Sequence, residues 1–344
     1  MASSLKAAVE GFLDGMRRVA AAPALIAGVF ALTFLMAVPP AALIRSSLAS
    51  HLGDSLEAAS AADAVNPGWW SEFRAQAAGL GTTFTPAIIG FAALLDHTSD
   101  VMDATAPAAP LAWLLGAYLV AWTFALGGLL DRFARRRAVR ARGFFAACGG
   151  LFFRMLRLAV VASIAYWLLF SYVRPWVFED LYRSVTLDLD SERAAFGWRL
   201  ACYALFGALL LMINVLMDYA KVRLAVEDRR SVLGAITAAW RFLWRRPGPV
   251  AILYLLDAAV FLAVVAVWFV AAPDVGDGTL QGLAWRFLLG QAYVLARLLV
   301  KLQFLASQTA LFQASLAHAA YTAAPAATWP SSPAVESIPD STAP

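Results

Sequence analysis

Charged side chains stand inside two long apolar stretches in the C-terminal third of this sequence. Asp257 lies about eight residues into one stretch, and the next carries Arg297 and Lys301, preceded by Tyr293. An unpaired carboxylate at such a depth in hydrocarbon costs several kcal/mol or takes up a proton. The chemistry open to these groups is therefore an ion pair between helices, a proton or ion relay, or a ligand site.

The spacing of these residues predicts a contact between Asp257 and Arg297. Arg297 and Lys301 are four residues apart, and Tyr293 precedes Arg297 by four, so all three share one helix face. Antiparallel spans then place Arg297 at about the depth of Asp257, with Lys301 as the alternative partner nearer the cytoplasm. A relay is poorly supported, because no other span carries a second acid. The predicted intramembrane polar cluster is Asp257, Arg297, Lys301, Tyr293, Asn214 and Asp218.

Six apolar stretches must position this cluster. With 61% hydrophobic residues, 15% charged residues and a mean hydropathy of +0.69, the chain is too apolar for a soluble domain. Roughly 20 apolar residues cross a bilayer, and only helices satisfy the backbone of such segments. We predict an all-α polytopic membrane bundle over residues 1–320, with an outer segment at 45–109. Its spans are 23–44, 111–130, 156–173, 197–217, 249–271 and 283–305.

Basic residues are distributed unequally between the two sides of these spans. The segments 1–22, 131–158 and 218–248 carry 18 Lys and Arg, whereas the segments on the opposite side carry five. Because basic loops stay in the cytoplasm, both termini are predicted to be cytoplasmic, in a bacterial inner membrane. Membrane orientation also explains the pI of about 9.2 without a nucleic-acid partner.

Two of the basic segments resemble each other. Aligning 142–148 with 230–236 brings Phe152 opposite Trp240 and Arg157 opposite Arg245. The N-terminus gives a weaker third copy, whose apolar stripe is Leu5, Val9, Phe12 and Met16. This spacing predicts amphipathic helices on the cytoplasmic face of the membrane.

The apolar stripes of these helices have two interpretations. They either dock on the helix bundle or accompany direct contact with anionic lipid headgroups, each basic residue contributing roughly 1 kcal/mol near such a surface. The predicted partner is the lipid bilayer, and a membrane-protein partner is a further expectation. The candidate headgroup residues are Arg135, Arg136, Arg137, Arg140, Arg142, Arg245 and Arg246.

Prolines and short apolar runs mark further boundaries. The sequence Arg246-Pro247-Gly248 predicts that a surface helix ends near Arg246 and that the next span begins just after it. Pro39-Pro40 predicts a kink or an early end of the first span. The run 84–95 is short for a span and is predicted to be interfacial or re-entrant. The Pro-, Ala- and Ser-rich residues 321–344 are predicted to be a disordered cytoplasmic tail.

Catalytic signatures are absent from the sequence. It contains no HExxH, Walker-type, GxSxG or CxxC motif, and its three histidines are scattered. No cofactor, metal site or enzymatic activity is therefore expected. The two cysteines, Cys148 and Cys202, are not expected to pair.

One stretch supports a resemblance to a known group of proteins. The run 217–230, continuing through Ala238-Ala-Trp240 to Arg246-Pro247-Gly248, resembles a loop-helix-span unit of uncharacterised bacterial multi-pass proteins. These are similar to the membrane domain of some glycerophosphodiester phosphodiesterases. The resemblance covers residues 110–320 and implies a six-helix bundle with cytoplasmic surface helices. No part of the chain resembles the phosphodiesterase catalytic domain, so that activity is not implied.

Two functions fit these patterns. The first is a non-enzymatic membrane component that organises lipid or a partner complex. The alternative is a transporter or permease subunit with a polar site near Asp257 and Arg297. A transporter requires a continuous polar cavity that reaches both residues, whereas a scaffold packs them without water.

Overall fold

All regular structure in the described part of the chain is helical. The computed structural model describes residues 2–53, 66–84, 109–137, 139–187, 191–272 and 279–316, with isolated residues between these ranges. Six of the described helices are long and apolar enough to cross a membrane: Pro23–Gly53, Leu111–Arg135, Ala141–Thr186, Glu192–Val226, Pro247–Ala271 and Leu280–Ala314. The predicted fold class, an all-α polytopic bundle, is confirmed. The described helices are α1 (Ala2–Ala20), α2 (Pro23–Gly53), α3 (Pro67–Gln76), α4 (Ala109–Arg135), α5 (Ala141–Thr186), α6 (Glu192–Val226), α7 (Val232–Arg245), α8 (Pro247–Ala271) and α9 (Leu280–Ala314).

Proline decides where the repeated surface helices separate from their spans. As predicted, α7 ends at Arg245 and α8 begins at Pro247, because proline disfavours helical backbone in the residue before it. The corresponding segment of α5 contains no proline, so the predicted surface helix and span form one continuous helix. This helix continues through π-helical turns at Leu169–Val173 and Trp176–Leu181.

The first span does not end early. The helix α2 includes both Pro39 and Pro40 and runs on to Gly53. Each proline removes one backbone hydrogen bond, but a membrane helix tolerates this loss because leaving the helix would free more backbone groups in hydrocarbon. The prediction of early termination was therefore wrong.

Beyond α2, part of the predicted outer segment packs as an aromatic cluster. The ring of His51, in the last turn of α2, lies 5.4 Å from that of Phe73 in α3, and Trp69 stacks on Phe73 at 5.4 Å. Asn66 caps the N-terminus of α3 through its side-chain oxygen. The predicted re-entrant run after Phe84 and the tail 321–344 lie outside the described residues.

The buried core lies towards one end of the bundle. Consecutive spans are antiparallel, so the C-terminal ends of α4, α6 and α9 meet the N-terminal ends of α5 and α8. Phe133, Tyr219 and Phe312 are fully buried at this end. Large apolar side chains towards the other end of α8, such as Phe269 and Val270, are strongly exposed, as a lipid-facing surface requires. The basic segments identified above belong to the buried end.

Helix α1 packs against α8 and α9 through small residues. Its buried face contains Ala8, Gly11 and Gly15, whereas Leu5 and Met16 of the predicted apolar stripe stay about half exposed. A Cβ atom at Gly15 would lie 2.7 Å from the backbone of Ser307, so the two helices meet at backbone contact. The docking face is thus a small-residue face beside the predicted stripe; Phe12 of that stripe packs against the core, whereas Leu5 and Met16 remain uncovered.

A buried arginine fixes the end of α1. Arg18 donates hydrogen bonds to Asp14 Oδ2 at 2.7 and 3.1 Å, to the Phe133 carbonyl at 3.0 Å and to Gln313 Oε1 at 2.8 Å. The Gln313 amide in turn donates to the Ala134 carbonyl at 3.0 Å. Burial lowers the pKa of Arg18 from its ordinary value, and Asp14 opposes this effect. The network joins α1 to the C-terminal ends of α4 and α9.

Candidate functional site

A cavity of about 710 Å³ lies between α2, α4, α6, α8 and α9. It extends from the middle of the spans towards the buried end of the bundle. Each helix contributes side chains from one face, since the lining positions recur every three or four residues. Its lining is Thr33 from α2; Tyr118, Trp122 and Leu126 from α4; Asn214, Asp218 and Lys221 from α6; Tyr254 and Phe261 from α8; and Val294, Arg297, Leu298, Val300, Lys301, Phe304, Leu305 and Gln308 from α9.

The carboxylate of Asp218, at the end of the cavity nearest the buried core, accepts hydrogen bonds at both oxygens. Lys221 Nζ donates to Asp218 Oδ1 at 2.6 Å, and the Tyr254 hydroxyl donates to Oδ2 at 2.8 Å. The Gln308 amide reaches the same Oδ2 at 3.2 Å and the Tyr254 hydroxyl at 2.8 Å. Three helices thus supply donors to one carboxylate, whose charge Lys221 balances.

The other two cations that line the cavity, Arg297 and Lys301 of α9, have no carboxylate to neutralise their charge among the described residues. Lys301 Nζ lies 3.5 Å from the centroid of the Trp122 ring and 3.5 Å from the Tyr118 hydroxyl. The Arg297 guanidinium lies 5.7 Å from the centroid of the Tyr293 ring. Within the described ranges, neither cation has a carboxylate within 4 Å. Cation–π contacts stabilise the two charges but do not neutralise them.

Asp257 does not join this cavity. Its side chain is fully buried on another face of α8, where Ser307 donates a hydrogen bond to Oδ2 at 2.7 Å. Gln303 also interacts with the carboxyl group, although its amide donates its well-formed hydrogen bond to the Phe12 carbonyl at 3.0 Å. Oδ1 has no hydrogen bond of good geometry among the described residues. The predicted contact with Arg297 is therefore not formed.

The helix register explains this difference. Asp257 faces Ser307, and Trp268 stacks on Tyr293 with ring centroids 4.6 Å apart. Arg297 is thus displaced from Asp257 by ten residues of α9, or about 15 Å at 1.5 Å per residue. The hydropathy boundaries placed the end of this span at residue 305, whereas the helix extends to Ala314. Because the predicted span ended before the helix does, the prediction aligned Arg297 with Asp257 at the wrong register.

The predicted polar cluster is therefore divided between three places. Arg297, Lys301, Asn214 and Asp218 line the cavity. Tyr293 lies one turn beyond Arg297, in the stack with Trp268, and Asp257 is separate.

The headgroup candidates differ in their surroundings. Arg135 forms an ion pair with Asp131 at 2.7 Å, and Arg136 forms one with Asp14 of α1 at 2.5 Å. These two contribute to packing at the buried end. The remaining predicted residues have exposed side chains: Arg137, Arg140, Arg142, Arg245 and Arg246.

Sequence reasoning missed much of the cavity wall. Tyr118 and Trp122 are four residues apart, a spacing that places both side chains on one face of the span. Aromatic residues are common in such spans, so this spacing alone did not indicate a cavity. Tyr254 could also have indicated a polar site, because a tyrosine hydroxyl inside a span needs a hydrogen-bond partner. Among the described residues, no group of three His, Cys, Asp or Glu side chains could hold a metal ion.

No protein-family model, curated protein or solved structure matches this chain. The resemblance to phosphodiesterase membrane domains therefore stays a prediction.

Proposed function

We propose that this protein is a non-enzymatic membrane component that binds an amphipathic anion, such as a lipid with an anionic headgroup, in the cavity. One observation carries the proposal. Arg297 and Lys301 line a cavity within the spans, and neither has a carboxylate partner within the described ranges. Uncompensated cations are costly at this depth, so an anionic ligand would stabilise the occupied state.

The remaining walls of the cavity suit the apolar part of such a ligand. Leu298, Phe261 and Phe304 line it together with Trp122. A mostly apolar site with a few placed polar groups is typical of ligand binding, in which the polar groups orient the ligand. The carboxylate of Asp218 does not repel an anion strongly, because Lys221 balances its charge at 2.6 Å.

The same proposal includes the membrane and its orientation. We place the protein in a bacterial inner membrane with both termini in the cytoplasm, because the basic segments lie at the buried end of the bundle. Helix α7 supports headgroup contact at this end. It exposes Leu233, Trp240 and Trp244 on one face and Arg241 and Arg245 on the next.

A transporter is the second candidate. The observation in its favour is a polar cavity that extends from Arg297, near the middle of α9, to Lys221 near the inner end of α6. Towards the outer end, the Trp268–Tyr293 stack brings α8 and α9 together one turn beyond Arg297. Transport would require this stack to open, whereas binding alone would not.

Lipid binding by the purified full-length protein tests the proposal. In a neutral detergent, we expect dioleoyl phosphatidylglycerol to bind more tightly than dioleoyl phosphatidylcholine, measured by native mass spectrometry. Lys301→Gln should weaken phosphatidylglycerol binding by at least about tenfold, since a hydrogen bond to a charged group contributes about 1.5–3 kcal/mol. Arg193→Gln removes the same charge from the exposed first turn of α6, outside the cavity and away from the basic segments, and should leave this binding nearly unchanged.

Equal binding of the two lipids, or equal weakening by Lys301→Gln and Arg193→Gln, would overturn the cavity as an anion site. Reconstitution into vesicles distinguishes a transporter, the second candidate, from a protein that only binds the lipid. Movement of a fluorescent phosphatidylglycerol between leaflets, lost on Lys301→Gln, would favour transport over binding alone.

A further inference from the structure

The charges around the cavity do not balance. Among the described residues, three cationic side chains line it, Lys221, Arg297 and Lys301, against one carboxylate, Asp218. Lys221 and Asp218 are in contact at 2.6 Å and compensate each other. The remaining two positive charges both lie on α9 and face the same space. A monoanionic ligand would neutralise one of them and leave the other uncompensated within the span, which is costly.

The two unbalanced cations are close enough to act on one headgroup. They are four residues apart, so they lie on the same face with their Cα atoms about 6 Å apart along the helix axis. The guanidinium of Arg297 can hold two phosphate oxygens in a bidentate arrangement, and the ammonium of Lys301 can hold a third as a point charge. The pair therefore suits a group with three terminal oxygens.

The chemistry of phosphate distinguishes two classes of lipid. A terminal phosphomonoester carries a charge of about −1.5 to −2 at pH 7 and has three strong acceptor oxygens. A phosphodiester has two such oxygens and a single negative charge. Only the monoester balances both Arg297 and Lys301. The Tyr118 hydroxyl, 3.5 Å from Lys301 Nζ, can donate a further hydrogen bond at the same place.

We infer that the cavity prefers a lipid with a terminal phosphomonoester headgroup over a phosphodiester lipid with the same acyl chains. The inference rests on the proposed function, because it specifies the ligand of the same site. Arg297 and Lys301 contact the headgroup, and the aromatic and aliphatic walls contact the chain.

Three lipids with identical acyl chains test this preference. Dioleoyl phosphatidic acid, phosphatidylglycerol and phosphatidylcholine are titrated at pH 8 into the purified full-length protein in a neutral detergent. We expect phosphatidic acid to bind about tenfold more tightly than phosphatidylglycerol, and both to exceed phosphatidylcholine. Arg297→Gln should abolish the preference for phosphatidic acid, whereas Arg297→Lys, which keeps the charge but loses the bidentate arrangement, should retain part of it.

The possible results separate the inference from the function on which it rests. If phosphatidic acid and phosphatidylglycerol bind equally well and both exceed phosphatidylcholine, the anion site stands and the phosphomonoester preference is wrong. If all three lipids bind equally, both ideas fail. These comparisons use the unaltered protein, so they decide the question even if a variant fails to fold.

Discussion

At the scale of single residues, Asp257 and Arg297, which the sequence predicted to be in contact, lie in different surroundings. Asp257 is buried with one good hydrogen bond, from Ser307, while Arg297 lines the cavity beside Tyr293. The residue types and the apolar stretch that holds each of them were readable, because hydropathy marks the spans. The rotation and register that separate the two side chains depend on packing, which a one-dimensional pattern does not encode.

Gly15 is predicted to be a critical residue for stability. Its Cβ position lies 2.7 Å from the backbone of Ser307, so Gly15→Ala must push α1 away from α9. We expect a loss of about 1–3 kcal/mol, as for overpacking elsewhere, seen as a lower midpoint of thermal unfolding in detergent.

Gly28→Ala is the matched control for this change. Gly28 also lies within a helix, α2, but no atom lies within 4 Å of its Cβ position. Alanine there should be neutral or slightly stabilising, because it favours the helix. Equal unfolding midpoints for the two variants would show that the close contact between α1 and α9 is not formed.

At the scale of elements, the amphipathic helix α7 has three faces rather than two. In α7, Val232, Ala235 and Phe242 are buried against the bundle, while 68% of Leu233 and 69% of Trp244 are exposed. The sequence pattern offered docking and headgroup contact as alternatives. The structure shows one face docked and a second apolar face left uncovered within the described part of the protein.

The exposed faces of α7 predict a periodic pattern of membrane depth. Spin labels on cysteines at Leu233, Trp240 and Trp244 should collide preferentially with oxygen in lipid nanodiscs, because this face lies in the acyl boundary. Labels at Arg241 and Arg245 should collide preferentially with a water-soluble nickel chelate. Electron paramagnetic resonance measures both. Protection of all five positions from both reagents would instead indicate that a partner protein covers α7.

At the scale of the whole molecule, the core lies towards one end of the bundle, and the basic segments lie at that same end. The packed ends of α4, α6 and α9 enclose the polar inner part of the cavity. The other end presents large apolar side chains with little burial, as in α8. Burial of apolar side chains between helices is therefore concentrated at the end that carries the basic segments.

The orientation of the molecule is a direct prediction. With both native cysteines replaced, single cysteines at Arg137 and Arg241 should react with an impermeant maleimide only after cells are permeabilised. Cysteines at Ser71 and Arg193 should react in intact cells, since acidic and weakly basic segments are translocated. All four side chains are exposed, so accessibility within the fold does not limit the labelling. The reverse pattern would contradict the cytoplasmic placement of the basic end.

The sequence by itself determined the class of the molecule and the number and approximate limits of its spans. These properties follow from local composition, because each span must satisfy its own backbone in lipid. It also identified Arg297, Lys301 and Asp218 as unusual, since charge within an apolar run is costly wherever the helix packs.

Only the tertiary structure decided which of those charges share a site. It separated Asp257 from Arg297, and it brought Trp122 and Tyr254 into one cavity with Lys301. The physical reason is that helix rotation, register and backbone approach depend on side-chain packing between elements distant in sequence. A shift of a few residues in one helix changes every such contact while leaving the hydropathy pattern the same.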